Sequence, residues 1–521
     1  MILVTANQMQ DMDRQTIESF GIPGRVLMET AGRGAFDFLI RKFGLLHAKK
    51  IAVMAGRGNN GGDGFVMARL LMEKGIPVTV FLLSPKHKVA GDAKNNMDLV
   101  EKLCDRSPAC SLIEIPDAEA FEHHKTKMLH HDFFIDALLG TGLNSAVRGI
   151  FKAAIELMNA SPNPVFSVDI PSGLHSDTGQ PQGVAVKADA TATFAAAKRG
   201  QILYPGQTYT GDLAVIDIGI PHFIAREKNI SLSVMEKKDI AAWFHPRGFQ
   251  THKGSYGHLL VIAGSVGKTG AAALCANAAM RCGTGLVTLG VAQSLNPIME
   301  SLVLEPMTCP LPEREKGYLS DHCLAEIQTL LTGKQALALG PGLGTRAGTR
   351  QLVQALIQTS EVPLILDADA LNGIADTPDV LNEKKVPAVI TPHPGEMARL
   401  CGVTVSEIQA DRIGRASKFA RAFDTLVVLK GAQTIVSLPD GRSYVCPTGN
   451  PGMACGGMGD VLTGMIAGFC AQGFSPEQAS LAGVYIHGLC ADHLSRDMGR
   501  FGFLATDMVQ RIPRTIHQDL L

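Results

Sequence analysis

The sequence predicts an α/β protein of two unlike domains, each built on a mostly parallel sheet. The chain has 521 residues, more than one ordinary hydrophobic core accommodates. Short apolar runs ending in glycine-rich turns and leading into helical stretches recur along it, the rhythm of βαβ units. That rhythm lapses once, over a charged, poorly patterned stretch from about Ala225 to Phe249, and restarts with different loop sequences.

Taken in order, residues 1–50 read as helices with an apolar stripe through Met9, Met12, Ile17 and the run from Val26 to Ile40. KKIAVMAGRGNNGGDG reads as a strand entering a loop, with FVMARLLMEKG as the following helix. PVTVFLL, DFFIDALLGTGL and PVFSVDIPSGL are further strands, and DLAVIDIGIPHF closes the first half. The second half repeats the pattern in GHLLVIAGSVGKTG, QALALGPGLG, PLILDADALNG, AVITPHPGE and TLVVLKGAQTIV, and turns helical from Val461 to the end. The expected boundaries are 1–224, a linker over 225–240, and 241–521.

Composition narrows the function class. Lys plus Arg (48) nearly cancels Asp plus Glu (49), so no global field points to nucleic acid or an anionic membrane. The 11 cysteines contain no C-x-x-C pair, which favours free thiols in a reducing, cytoplasmic setting. The N-terminal residues acquire acids too early for a signal peptide, and no apolar stretch is long enough to span a bilayer. The apolar fraction leaves room for a homo-oligomer.

In an open parallel sheet, ligands sit beyond the carboxyl ends of the strands. Three loops of the first half occupy that rim: Gly56 to Gly64, Asp136 with Gly140-Thr141-Gly142-Leu143, and Asp169-Ile170-Pro171-Ser172-Gly173. Glycines let a backbone approach a phosphate, and a helix start offers unpaired N–H groups. One such loop is ordinarily a tight turn, and one strand-end Asp a helix cap; three together on one rim point to a site. GNNGGDGFVMAR, DALLGTGL and VDIPSGL, in that order over residues 1–222, resemble the NAD(P)H-hydrate epimerase family. The resemblance implies a Rossmann-like αβα sandwich and a potassium ion held by Asn60, Asp136 and Ser172. It implies substrate contacts from Asn59, Asn60, Gly61, Gly62 and Asp63, from Gly140, Thr141, Gly142, Leu143, Asn144, Ser145 and Ala146, and from Asp169. Asp169 is the candidate acid–base catalyst for interconverting the R and S hydrates at C6 of the reduced nicotinamide. Lys198, in AAAKRGQILYPG, reads equally well as its partner or as a solvated lysine.

The most informative segment of the second half runs from Asn450 to Leu462, NPGMACGGMGDVL. Its small residues lead into a helix with Asp460 in the first turn; the amides can hold a transferring phosphate while the acid takes a proton. GSVGKTG lacks the Walker A spacing, so Lys268 is not expected to be a P-loop lysine. With GSVGKTGAAALCANAAMRCGTGLVTL, ALGPGLG, LDADALN, TPHPGEMARL and VLKGAQT in order, residues 240–515 resemble the ribokinase-like NAD(P)H-hydrate dehydratases. That resemblance implies hydrate contacts from Ala272, Gly344, His393 and Asp460. It implies phosphate contacts from Lys430, Gly431, Ala432, Gln433, Thr434 and Gly459, with Asp460 catalytic. Glu396 reads as a capping carboxylate. ADP, by analogy with prokaryotic relatives, and Mg²⁺ are the implied co-substrate and cation, with NADHX and NADPHX as the substrates. The competing reading is a metabolite kinase carrying a non-catalytic N-terminal binding module.

Overall fold

In the computed structural model, which describes residues 1–44 and 46–521, the apolar runs become inner strands of two separate sheets. The chain divides into the units Met1–Ile230 and Ser231–Leu521. In the first, seven parallel strands are ordered Cys110–Glu114, Val78–Leu82, Ile51–Ala55, Phe133–Ala137, Val165–Val168, Ala190–Phe194 and Asp212–Ile216. The inner strand Ile51–Ala55 is fully buried. Its two-residue alternation divides it between two cores. Ile51, Val53 and Ala55 pack with Leu27, Leu71 and Val100 of the helices Gly24–Phe43, Asn59–Glu73 and Gly91–Cys104. Ala52 and Met54 pack with Phe121 and Ile155 of Ala118–Leu129 and Gly149–Ala160.

Two details depart from the sequence reading. The glycine-rich run is not a loop ahead of its helix: the helix starts at Asn59, so Asn60 to Gly64 form its first turns. A Cβ on Gly61 would stand 1.9 Å from the Gly56 carbonyl, so glycine there lets the helix start press against the end of its strand. The strands Cys110–Glu114 and Ala190–Phe194 carry little sequence signal, the first because it is a half-polar edge and the second because ATATF is mostly small residues. A second, two-stranded sheet pairs Leu3–Val4 with Ala197–Lys198 in parallel, Val4 opposite Lys198.

The second unit carries ten strands, ordered Leu232–Val234, Ser443–Val445, Ile435–Ser437, Leu426–Leu429, Ala388–Ile390, Leu364–Leu366, Ala336–Leu339, His258–Ile262, Leu286–Ala292 and Met307–Leu311. All neighbours are parallel except those made by Ile435–Ser437, which runs antiparallel to both of its own. Leu259 and Val261 face a core with the helices Thr269–Arg281, Met458–Ala471 and Pro476–Met498. Leu260 and Ile262 face one with Ala347–Thr359, Pro394–Cys401 and Arg412–Ala422. The stretch 225–240 is not a bare connector: Leu232–Val234 joins the sheet and a helix begins at Lys237. A three-residue strand between charges is too short to show a period.

Candidate active sites

Each sheet has a point where the chain leaves a strand on one side and later returns on the other, opening a crevice at the carboxyl ends. In the first unit this lies between Ile51–Ala55 and Phe133–Ala137, and a cavity of about 810 Å³ opens there. Asn59, Asn60, Asp63, the loop Leu138 to Leu143, Asp169 and Lys198 line it, together with Asp13. Asp169 takes a left-handed backbone, φ 61°, which costs a non-glycine residue about 1–3 kcal/mol unless its surroundings impose it. Here they do: its N–H donates to the Ala192 carbonyl at 2.7 Å, and its own carbonyl accepts from Gln201 Nε2 at 2.7 Å. Oδ1 accepts from Lys198 Nζ at 2.5 Å and from Thr193 Oγ1 at 3.2 Å. Lys198 is 1% exposed, so the solvated reading of this lysine is wrong: it is the ion-pair partner of Asp169.

Beneath the cavity floor Asp136 and Ser172 are fully buried. Asp136 Oδ2 accepts from Ser167 Oγ at 2.9 Å and from the Ser172 N–H at 2.8 Å; burial still lifts its carboxyl above the ordinary range. Ser172 Oγ donates to the Leu139 carbonyl at 3.2 Å, and Asn60 Nδ2 donates to the same oxygen at 3.1 Å. Asn60 Oδ1 is buried without a hydrogen-bond partner. An unpaired amide oxygen beside a carbonyl, a hydroxyl and a carboxylate suits a cation with hard-oxygen ligands. Asp63 is pushed well above the usual carboxylate range by burial, then by Asp169 and Asp13, with Lys198 opposing.

In the second unit the crevice lies where His258–Ile262 borders Ala336–Leu339. The two loops beyond these strands are tied by Ser265 Oγ donating to the Gly342 carbonyl at 2.7 Å. Past Leu364–Leu366, Ala368 adopts φ 49° and separates two carboxylates with different partners. Asp367 accepts from Lys430 Nζ at 2.7 Å and Thr463 Oγ1 at 2.8 Å. Asp369 accepts from Lys268 Nζ at 2.9 Å and the Gly344 N–H at 2.8 Å. Lys268 is therefore an ion-pair residue. Glu396 caps its helix by accepting from the His393 N–H at 2.8 Å, and lies 3.9 Å from Lys430.

Gly457, φ 92°, caps the helix Met458–Ala471 without any side-chain hydrogen bond to its first N–H groups, and Asp460 lies in the first turn. A Cβ on Gly459 would stand 3.3 Å from Lys430 Nζ, which shows how closely the lysine approaches this helix start. Burial raises the Asp460 carboxyl to about 6; Asp367 adds to the rise, Lys430 opposes it, and Asp369 and Glu396 add more. His393 is held below its usual value by burial and by Lys430. A helix N-terminus, one ammonium and a carboxyl near neutrality form a setting for transferring a phosphoryl group and taking up a proton.

Family models match both units: NAD(P)H-hydrate dehydratase over residues 259–514, and YjeF-related protein N-terminus over residues 24–200. The chain is 40% identical to the bifunctional NAD(P)H-hydrate repair enzyme of Moorella thermoacetica, over 98% of this chain and 96% of that one. The chain belongs to the bifunctional NAD(P)H-hydrate repair enzymes. The Escherichia coli member of this family is 33% identical over 99% of this chain and 94% of its own. A crystal structure of the ADP/ATP-dependent NAD(P)H-hydrate dehydratase from Bacillus subtilis is 32% identical, with a TM-score of 0.47 over 55% of this chain and 98% of that one.

Of the residues singled out in the sequence of this repair-enzyme family member, Asn59, Asn60, Asp63, Gly140 to Leu143 and Asp169 share the cavity wall. Gly61 and Gly62 pack into the helix start, and Asn144, Ser145 and Ala146 lie on the exposed end of their loop, outside the lining. Ala272 has no accessible surface; its methyl backs the turn at Gly264, so it supports the crevice wall from within. Gly344 meets the Tyr318 ring and His393 is half exposed. The loop Lys430 to Thr434 is laced by Arg412, which donates to the carbonyls of Leu429, Lys430 and Ala432. Asp13, Asp367 and Arg412 are site groups that the sequence pattern alone does not mark. Asp367 lay in the quoted LDADALN; the other two sit on polar helix faces that look solvated.

Proposed function

We propose that the unit Met1–Ile230 interconverts the R and S hydrates of NADH and NADPH, and that Ser231–Leu521 dehydrates the S form with ADP, giving AMP and phosphate. The observation that carries this reading is the full-length similarity to bifunctional repair enzymes, which runs through both units. Damage yields both epimers, and a dehydratase that accepts one needs an epimerase to reach the whole pool. We place the enzyme in the cytoplasm; eleven cysteines, all free thiols, suit a reducing compartment.

Asp169, oriented by Lys198, is the acid–base group that acts on the C6 hydroxyl, with the loops at Asn59 to Asp63 and Gly140 to Ala146 seating the hydrate. Asn60, Asp136 and Ser172 would hold K⁺, whose charge would steady the loop carbonyls and the hydrate; the unpaired Asn60 Oδ1 supports that assignment. In the second unit Asp460 accepts the hydroxyl proton as the phosphoryl group arrives from ADP. The amides from Gly456 to Gly459 and Lys430 meet the developing charge, and the Lys430–Thr434 loop holds the nucleotide phosphates. Phosphate then leaves C6 with the push of N1, and loss of a C5 proton restores the dihydronicotinamide. Mg²⁺ carried in with the nucleotide phosphates would spread the charge of the transferring group.

The test is absorbance at 340 nm after mixing the protein with an R/S mixture of NADHX, K⁺, Mg²⁺ and ADP, with ATP in parallel. Recovery of nearly all the NADH with ADP, and none without nucleotide, is the expected result. Recovery that stops at the S fraction removes the epimerase assignment, and no recovery with either nucleotide removes the dehydratase assignment.

A further inference from the structure

Asp13 takes no part in the mechanism above, yet the fold goes to some length to hold it in place. It belongs to the helix Ala6–Arg14, which is capped at its start and fastened to the unit by two ties. Val4 lies beside Lys198 in the parallel pair, Thr5 forms a capping box with Gln8, and the Ala6 N–H donates to Asp177 Oδ1 at 2.7 Å. Met9 and Met12 are buried, and the helix presents Gln10 and Asp13 to the cavity. Asp13 thus shares that cavity with Asp63, Asp169 and Lys198, each carried by a different element.

Asp169 commits Oδ1 to Lys198 and Thr193 and keeps Oδ2, 3.9 Å from where a Gly140 Cβ would stand, toward the loop. Epimerisation by ring opening moves protons at two atoms, the C6 hydroxyl and N1, so a second group is needed. We propose that Asp13 is that second catalytic residue, exchanging a proton with N1 of the hydrate while Asp169 serves the hydroxyl; this rests on the epimerase reading. In opening, the Asp169 carboxylate takes the hydroxyl proton and C6–O becomes a carbonyl. The C6–N1 bond breaks with its electron pair going to N1, and N1 takes a proton from the Asp13 carboxyl. The aldehyde turns, N1 attacks its other face and returns the proton to Asp13, and Asp169 returns the hydroxyl proton. Nothing is oxidised or reduced, and both carboxyls end as they began. The Asp13 carboxyl is suited to both directions: burial lifts it to about 6, with Lys198 lowering and Asp169 raising it.

Asp13→Asn and Asp13→Glu in the full chain test this, by chromatographic separation of R- and S-NADHX over time without nucleotide. Dehydration of pure S-NADHX by the same preparations reports on the other unit. The expected result is an Asp13→Asn kcat for epimerisation lower by about 100-fold with KM little changed. Asp13→Glu should recover most of the rate, and S-hydrate dehydration should be untouched. Epimerisation by Asp13→Asn within about threefold of the wild type overturns the proposal, since acid–base groups carry at least tens of fold. Equal loss in both variants with a lowered melting temperature also overturns it, in favour of a packing role. A wild-type protein that does not interconvert the epimers removes the epimerase reading itself, and this proposal with it.

Discussion

Asp169 and Asp460 are two strand- or helix-end carboxyls in opposite electrostatic settings. Asp169 faces a buried ammonium, whereas Asp460 stands among Asp367, Asp369 and Glu396 with Lys430 opposing them. The Asp460 value of about 6 exceeds the ordinary 3.8, so the fold favours its protonated form. Its contribution to stability is therefore present below pH 3.8 and is lost as the pH rises through about 6. Its competence as a base grows over that same interval. Dehydration should accordingly fall about tenfold per pH unit below about 6, and Asp460→Asn should abolish dehydration and flatten that part of the pH–stability curve. A pH–rate profile on S-NADHX, with urea melts across the same range, reads both. Lys198→Met should cost about 3 kcal/mol by leaving Asp169 unpaired and should stop epimerisation, read by chemical denaturation and epimer separation. The strand-end acids were legible because glycine-rich turns flag the rim. Asp13 was not, since an acid on the polar face of an amphipathic helix looks solvated until distant residues pair beside it.

Among elements, the helix start at Gly457 carries the most function for its size. Its φ of 92° lies where an L side chain is strained, and a Cβ there would meet Leu274 at 2.7 Å and Ala505 at 2.8 Å. Gly457→Ala should therefore lower stability by about 1–2 kcal/mol and raise the KM for ADP, as the amides of the first turn lose their aim. Urea denaturation and dehydration rates at varied ADP check it; an unchanged KM would detach this turn from the nucleotide. Inner strands such as Val78–Leu82 and Leu426–Leu429 were legible because burial on both faces makes them uniformly apolar. Met307–Leu311 and Ser443–Val445 escaped because short or half-exposed strands show neither a run nor a clean alternation. The boundary segment hid for a related reason: its charges masked a strand that pairs with residues more than two hundred positions away.

For the whole molecule, each crevice draws its described groups from its own unit alone. Mixing a chain carrying Asp169→Ala with one carrying Asp460→Ala should therefore restore recovery of an R/S pool, since the S hydrate made on one chain can diffuse to the other. Failure to restore it, with each single activity intact, would mean that the hydrate does not leave its chain. The parallel pair of Leu3–Val4 with Ala197–Lys198 also sets a schedule for biosynthesis. The ribosome delivers the rim loops at Gly56, Asp136 and Asp169 first, while the opening helix still waits for its partner strand. Neither that strand nor the lysine beneath Asp169 exists until residue 198 has emerged. A nascent chain short of that point holds most of the rim but lacks both the strand that seats the opening helix and the ammonium that pairs with Asp169.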